Sequence, residues 1–115
     1  MYLSEAMEDM EGTAYPMVQA VPGKVYRTKK LGRFGYITLT PNTENTFQNG
    51  GNPVRGHEFH YFDSTDCGNA WHAVKPLRKR NWDCIHASKR MMVGFPHLYY
   101  MASPHLALEF LEQCA

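Results

Sequence analysis

The stretch RGHEFHYF, Arg55 to Phe62, places two histidines, a carboxylate and three aromatic rings within eight residues. Such a set could hold a metal ion or move a proton. The histidines of HEFH are three positions apart, whereas the zinc-protease pair must be four apart so that both project from one side of a helix. On a strand the side chains alternate, so Glu58, His60 and Phe62 share one face and His57, Phe59 and Tyr61 the other. His57 and His60 then cannot grip one ion together. A metal set would need His60 and Glu58 with ligands from elsewhere, such as His72 or His86, and no spacing selects them. No metal is expected. The plainer reading is a half-buried strand whose histidines bond locally.

A second candidate is His97 in GFPHLYY. A strand delivers the chain to Pro96, one histidine follows, and a short loop leads into an amphipathic helix. That order suits a general base: rigid support before, an imidazole held open at the turn, and a tether behind.

The elements that must hold these residues come from a chain of 115 residues with 43% apolar and 13% aromatic side chains, enough for one domain around one modest core. A net charge of +1 gives no broad field to attract nucleic acid or a membrane surface. Cys67, Cys84 and Cys114 are odd in number and form no CxxC pair, so neither a disulfide framework nor a zinc ribbon is implied. No run approaches the roughly 18 apolar residues of a membrane span, and no leader opens the chain. A cytoplasmic location is the expectation.

Leu3, Ala6, Met7 and Met10 recur at helical spacing, so MYLSEAMEDMEG reads as a helix stopped by Gly12. It opens without a cap, as a piece cut from a longer chain would. YPMVQAVPGKVYRTKK reads as two short strands around the Pro22-Gly23 turn, and RFGYITLT as another, with connections short enough to be antiparallel. PNTENTFQNGGNP, from Pro41 to Pro53, reads as a mobile loop. VRGHEFHYFDST and AWHAVKPL follow as strands, and after KRNWDC one strand runs from Cys84 to about Phe95. In SPHLALEFLEQCA, Ser103 caps a helix with Pro104 at its first position. Leu106, Ala107, Phe110, Leu111 and Cys114 form its buried stripe.

Taken together and in order, MYLSEAMEDMEGTAYPMVQAVPGK, RFGY, RGHEFHY and GFPHLYYMASPHLALEFL resemble the C-terminal glutamine amidotransferase domain of cobyrinic acid a,c-diamide synthase. The resemblance covers Met1 to about Gln113, with the Asn-rich loop least matched. It implies a fold class of α/β: part of a class I glutamine amidotransferase, flavodoxin-like, with mostly antiparallel strands and an N-terminal and a C-terminal helix. Residues 1–115 would be the C-terminal portion of that domain, and the N-terminal ATP-binding domain would be missing.

The resemblance further implies that the parent is a ligase of cobalamin biosynthesis. With ATP and Mg2+ it activates the a and c carboxylates of a corrinoid, and ammonia from glutamine attacks them. His97 falls on the family's catalytic histidine, the base for a cysteine nucleophile. Where related amidotransferases carry a glutamate two residues later, this chain has Tyr99, so a Cys-His dyad or another orienting group is implied. The nucleophile has no match: the family's Gly-rich CGG elbow precedes the stretch at which this chain begins, and none of the three cysteines is flanked as an elbow requires. No GxxxxGK[ST] occurs either, so the chain itself is expected to hold no cofactor and to be inactive alone. Glu58 and His60 are expected to organise the site or a domain interface.

Two basic groups, Lys24, Arg27, Lys29, Lys30 and Arg33, and Arg78, Lys79 and Arg80, could attract a carboxylate-rich tetrapyrrole or could simply be solvated turns. Without the rest of the sheet, exposed apolar surface and an unpaired edge are expected, and with them homodimerisation or poor solubility. The competing expectation is a non-catalytic binding or scaffold domain of amidotransferase-like shape.

Overall fold

The computed structural model describes residues 1–42 and 47–115. Eleven strands, two 3₁₀ turns and one α-helix are assigned among them: β1 (Ala6–Glu8), β2 (Ala14–Pro16), β3 (Lys24–Arg27), β4 (Arg33–Pro41), β5 (Val54–His60), β6 (Phe62–Ser64), β7 (Trp71–Val74), β8 (Asn81–Cys84), β9 (His86–Ser88), β10 (Met91–Val93), β11 (His97–Leu98) and α1 (Pro104–Cys114). The chain divides into two compact units, Met1–Phe34 with Phe59–Cys67, and Gly35–Glu58 with Gly68–Ala115.

The first unit carries a mixed sheet in the order β2-β1-β3-β6, in which β1 runs parallel to β3 and the other pairs are antiparallel. The expected N-terminal helix is absent. Ser4 donates its hydroxyl to the Met1 and Ala6 carbonyls, and Asp9 Oδ1 accepts the backbone N–H groups of Glu11 and Thr13. Such short polar side chains offer the backbone an alternative to helix, and a segment this short needs tertiary packing to stay helical. Here the packing favours extension: Met7 pairs with Tyr15 on one side and Val25 on the other.

The second unit holds a five-stranded sheet in the order β11-β5-β4-β7-β8 and a β9–β10 hairpin. Its strands alternate, with Ile37, Leu39, Val54, Trp71 and Ala73 buried on one face. Phe47, Ile85 and Leu106 complete that core. The long strand expected from Cys84 to Phe95 is broken at its second residue, because Ile85 has φ +66°. A β-branched residue rarely adopts this conformation. It is held by a bridge to Gly68 so close that a Cβ at Gly68 would stand 2.3 Å from the Ile85 carbonyl carbon.

Helix α1 begins with Pro104 in its first turn, although Ser103 makes no side-chain cap bond. Of its expected buried stripe only Leu106 is buried, while Phe110, Leu111 and Cys114 are exposed. The Asn-rich segment differs from a mobile loop where it is described. Phe47 is 2% exposed, and Glu109 of α1 accepts the backbone N–H groups of Gln48, Asn49 and Gly50. The central part of that loop, residues 43–46, lies outside the described residues.

Candidate functional site

Residue by residue, β5 reads buried, exposed, buried, exposed from Val54 to Phe59, as a strand with one covered face must. Glu58 points into the second unit and is fully buried. Its carboxylate favours the charged form of Lys75, yet burial and the charges of Arg80 and Arg78 leave the Lys75 amine below its usual range. His60 is half-buried, and its Nδ1 donates to the Phe62 carbonyl.

His97 lies in an ordered strand and not in a loop. β11 is the edge of the five-stranded sheet and pairs antiparallel with β5, His97 opposite His57 and Leu98 opposite Gly56. Tyr99 adds a backbone bond to the Arg55 carbonyl. This registry brings His97 onto the face occupied by His57, where the two imidazole rings stack with centroids 4.8 Å apart at 23°. His97 Nδ1 sits 3.3 Å from the His57 carbonyl oxygen. An open cleft of about 710 Å³ spreads over this face, lined by Tyr36, Thr38, Arg55, His57, Pro76, His97 and Tyr99. His97 also lines a second, smaller cavity of about 410 Å³ with Phe47, Ile85, Met92, Leu106 and Phe110.

The partner of His97 in the fold is therefore His57, on the face of RGHEFHYF opposite Glu58. Gly56 was the available signal, since a glycine inside a strand often marks a close backbone approach. A Cβ there would stand 2.6 Å from the His97 carbonyl oxygen.

A histidine so placed can accept a proton from a thiol or hydroxyl brought to the cleft. Each of the chain's own thiols has surroundings of its own. Cys84 is 1% exposed within the core, and Cys114 donates to the Phe110 carbonyl of its own helix. Cys67, in the first unit, contacts Arg33 and Asp63, and burial, partly opposed by Arg33, pushes its thiol above the ordinary value. Among the described residues no group of three or more His, Cys, Asp or Glu side chains could hold a metal ion. Among the described residues no helix is long and apolar enough to cross a membrane.

Three of the basic residues singled out above have local partners. Lys24 pairs with Glu8 at 2.8 Å, Arg33 with Asp63 at 3.7 Å, and Arg80 lies 5.6 Å above the Trp82 ring. A separate polar group joins β7 to β8, with His72 Nδ1 2.7 Å from Asp83 Oδ1 and Asn42 Nδ2 donating to the same oxygen.

No protein-family model matches the chain. Curated relatives do. A cobyrinate a,c-diamide synthase from Caldanaerobacter subterraneus subsp. tengcongensis is 31% identical over 117 residues, covering 100% of this chain and 26% of that protein. Another, from Fusobacterium nucleatum subsp. nucleatum, is 36% identical over 98% of the chain and 24% of its own length. A third, from Leptospira interrogans, is 31% identical over 99% of the chain and 26% of its length. The chain thus spans about a quarter of the length of these relatives.

Proposed function

We propose, from the premise that the chain is homologous over its whole length to about a quarter of the cobyrinate a,c-diamide synthases, that it supplies the base-bearing part of a glutamine-hydrolysing site. That quarter is the C-terminal portion of the glutamine amidotransferase domain. His97 keeps an incoming cysteine as the thiolate that attacks the glutamine amide carbon, then returns the proton to the departing ammonia. The ammonia amidates the a and c carboxylates of a corrinoid in cobalamin biosynthesis. Glu58 and His60 support the strand that faces His97 and do not transfer the proton.

The observation that carries this reading is the presentation of His97 at an open cleft whose lining contains no cysteine. The thiol belongs to the N-terminal remainder of the parent enzyme, and so does activation by ATP and Mg2+. The residues present do not fit those groups: the sequence has no GxxxxGK[ST], and no metal-holding cluster occurs among the described residues. The open sheet face, with Tyr36 81% and Tyr99 57% exposed, is where the remainder or a second copy of the chain would pack.

The test is ammonia release from glutamine by the purified 115-residue chain, compared with the chain joined to a thiol-bearing remainder from a relative. The chain alone is expected to release none, and the joined protein to gain activity that His97→Asn abolishes. Turnover by the chain alone would overturn the division of labour. A joined protein indifferent to His97→Asn would favour the non-catalytic scaffold.

A further inference from the structure

We infer that His57 is the positioning residue for His97: its main-chain carbonyl fixes which imidazole nitrogen carries the proton, and its ring fixes the imidazole plane. The inference rests on the proposed function for what that nitrogen is used for, while the geometry stands by itself.

A carbonyl oxygen has lone pairs and no proton, so the 3.3 Å contact between His97 Nδ1 and the His57 oxygen requires the hydrogen to be on Nδ1. In the neutral ring this leaves the lone pair on Nε2. An unconstrained neutral imidazole in water favours the opposite tautomer, so the contact selects the form in which Nε2 can accept. When a thiol gives up its proton, the S–H bond breaks and an Nε2–H bond forms. The resulting imidazolium keeps its Nδ1–H on the same carbonyl, and no second movement is needed.

One hydrogen bond leaves the ring able to swing about it, and β11 is a two-residue edge strand that constrains its side chains weakly. The stacked His57 ring, 4.8 Å away and inclined by 23°, limits that swing. His57 is well suited to the task because β5 lies inside the sheet, between β11 and β4. The arrangement also accounts for the absence of an acidic partner two residues on, where Tyr99 stands. A backbone acceptor plus a stacked ring supplies the orientation that a carboxylate would otherwise give.

The experiment is nitrogen-15 NMR of the imidazole rings in the 115-residue chain, with His97 assigned by its loss in His97→Asn, for the wild type, His57→Phe and His57→Ala. The expected result is that neutral His97 is predominantly the Nδ1–H form in the wild type, that His57→Phe preserves this by retaining the stack, and that His57→Ala shifts the population toward Nε2–H. Amide spectra confirm that each variant is folded; were His57→Ala to unfold, the wild-type tautomer and the His57→Phe comparison decide. Predominant Nε2–H in the wild type overturns the inference, as does loss of the Nδ1–H form in His57→Phe or a folded His57→Ala that matches the wild type. The measurement needs no turnover, so its failure is separable from that of the proposed function, which the ammonia assay reads.

Discussion

The carbonyl oxygen of His97 occupies the space a side chain at position 56 would need, 2.6 Å from the point where a Cβ on Gly56 would stand. Leu39 Cδ1 closes the same space from inside the core at 3.3 Å. The strand bearing the candidate base can therefore lie against β5 only while residue 56 has no side chain.

Gly56→Ala is expected to push β11 outward, since backbone on one side and packed core on the other leave little room to yield. Overpacking of this kind costs about 1 to 3 kcal/mol. The contacts between the His57 and His97 rings should be lost at the same time. Gly32→Ala is the control, because its nearest neighbour would be 4.0 Å from the new Cβ. Urea unfolding together with ring-to-ring NOEs for the two variants checks this, and an unchanged ring contact in Gly56→Ala would contradict it.

The part of the Asn-rich loop from Phe47 onward is expected to be held by two separate devices. Phe47→Ala empties a buried site beside Phe110, whose ring centroid lies 6.2 Å away, and should cost about 3 to 5 kcal/mol. Glu109→Gln leaves an oxygen that can still accept from Gln48 and Asn49 but turns an amide NH2 toward the Gly50 N–H, and should cost about 1 to 3 kcal/mol. Amide hydrogen exchange at Asn49 and Gly50 separates the two: acceleration there in Glu109→Gln, beyond its global effect, supports the carboxylate as anchor. Uniform acceleration across the chain would mean that Phe47 alone holds the segment.

Period-two alternation made β4, β5 and β7 legible, because each lies in a sheet with one buried face, and Ser103-Pro104 marked the start of α1. Three features were not legible, each for a physical reason. At the N-terminus the helical spacing of Leu3, Ala6, Met7 and Met10 competes with strand pairing to Val25, a partner remote in sequence. The turn at Ile85 relies on its neighbour Gly68, and nothing local to isoleucine announces a left-handed backbone. His97 was recognisable as a candidate from its motif, but its pairing with His57 is a matter of strand register. The same eight-residue stretch that drew attention to Glu58 and His60 holds the positioning group on its other face.

Acid stability is expected to depend on Asp83. The His72 hydrogen bond foremost, then that of Asn42, holds its carboxyl below the ordinary value of 3.8. A depressed carboxylate contributes stability that is present above its unfolded-state pKa and is lost as the pH falls through its folded-state pKa. The side chain is exposed, so the effect is confined to the acid limb and is weakened by salt. Asp83→Asn should flatten the decline of Tm with acid between about pH 5 and pH 2 and should reduce its salt dependence. Parallel acid limbs for the variant and the wild type would rule out this contribution.

Thiol reactivity tests the proposed division of labour between this chain and a thiol-bearing remainder, because a catalytic cysteine is accessible and has its thiolate favoured. Cys114 is accessible on α1, Cys84 is enclosed, and at Cys67 burial outweighs the pull of Arg33, so its thiol holds its proton to higher pH than usual. Iodoacetamide near neutral pH should therefore modify Cys114 first, Cys67 more slowly, and Cys84 only after denaturant is added, as read by mass spectrometry of timed samples. A diazoketone analogue of glutamine should show no preference for any of the three, since none lines the cleft at His97. Rapid labelling of Cys67 or Cys84 by that analogue, slowed by His97→Asn, would identify a nucleophile within the chain, and the thiol would no longer have to come from the remainder of the enzyme.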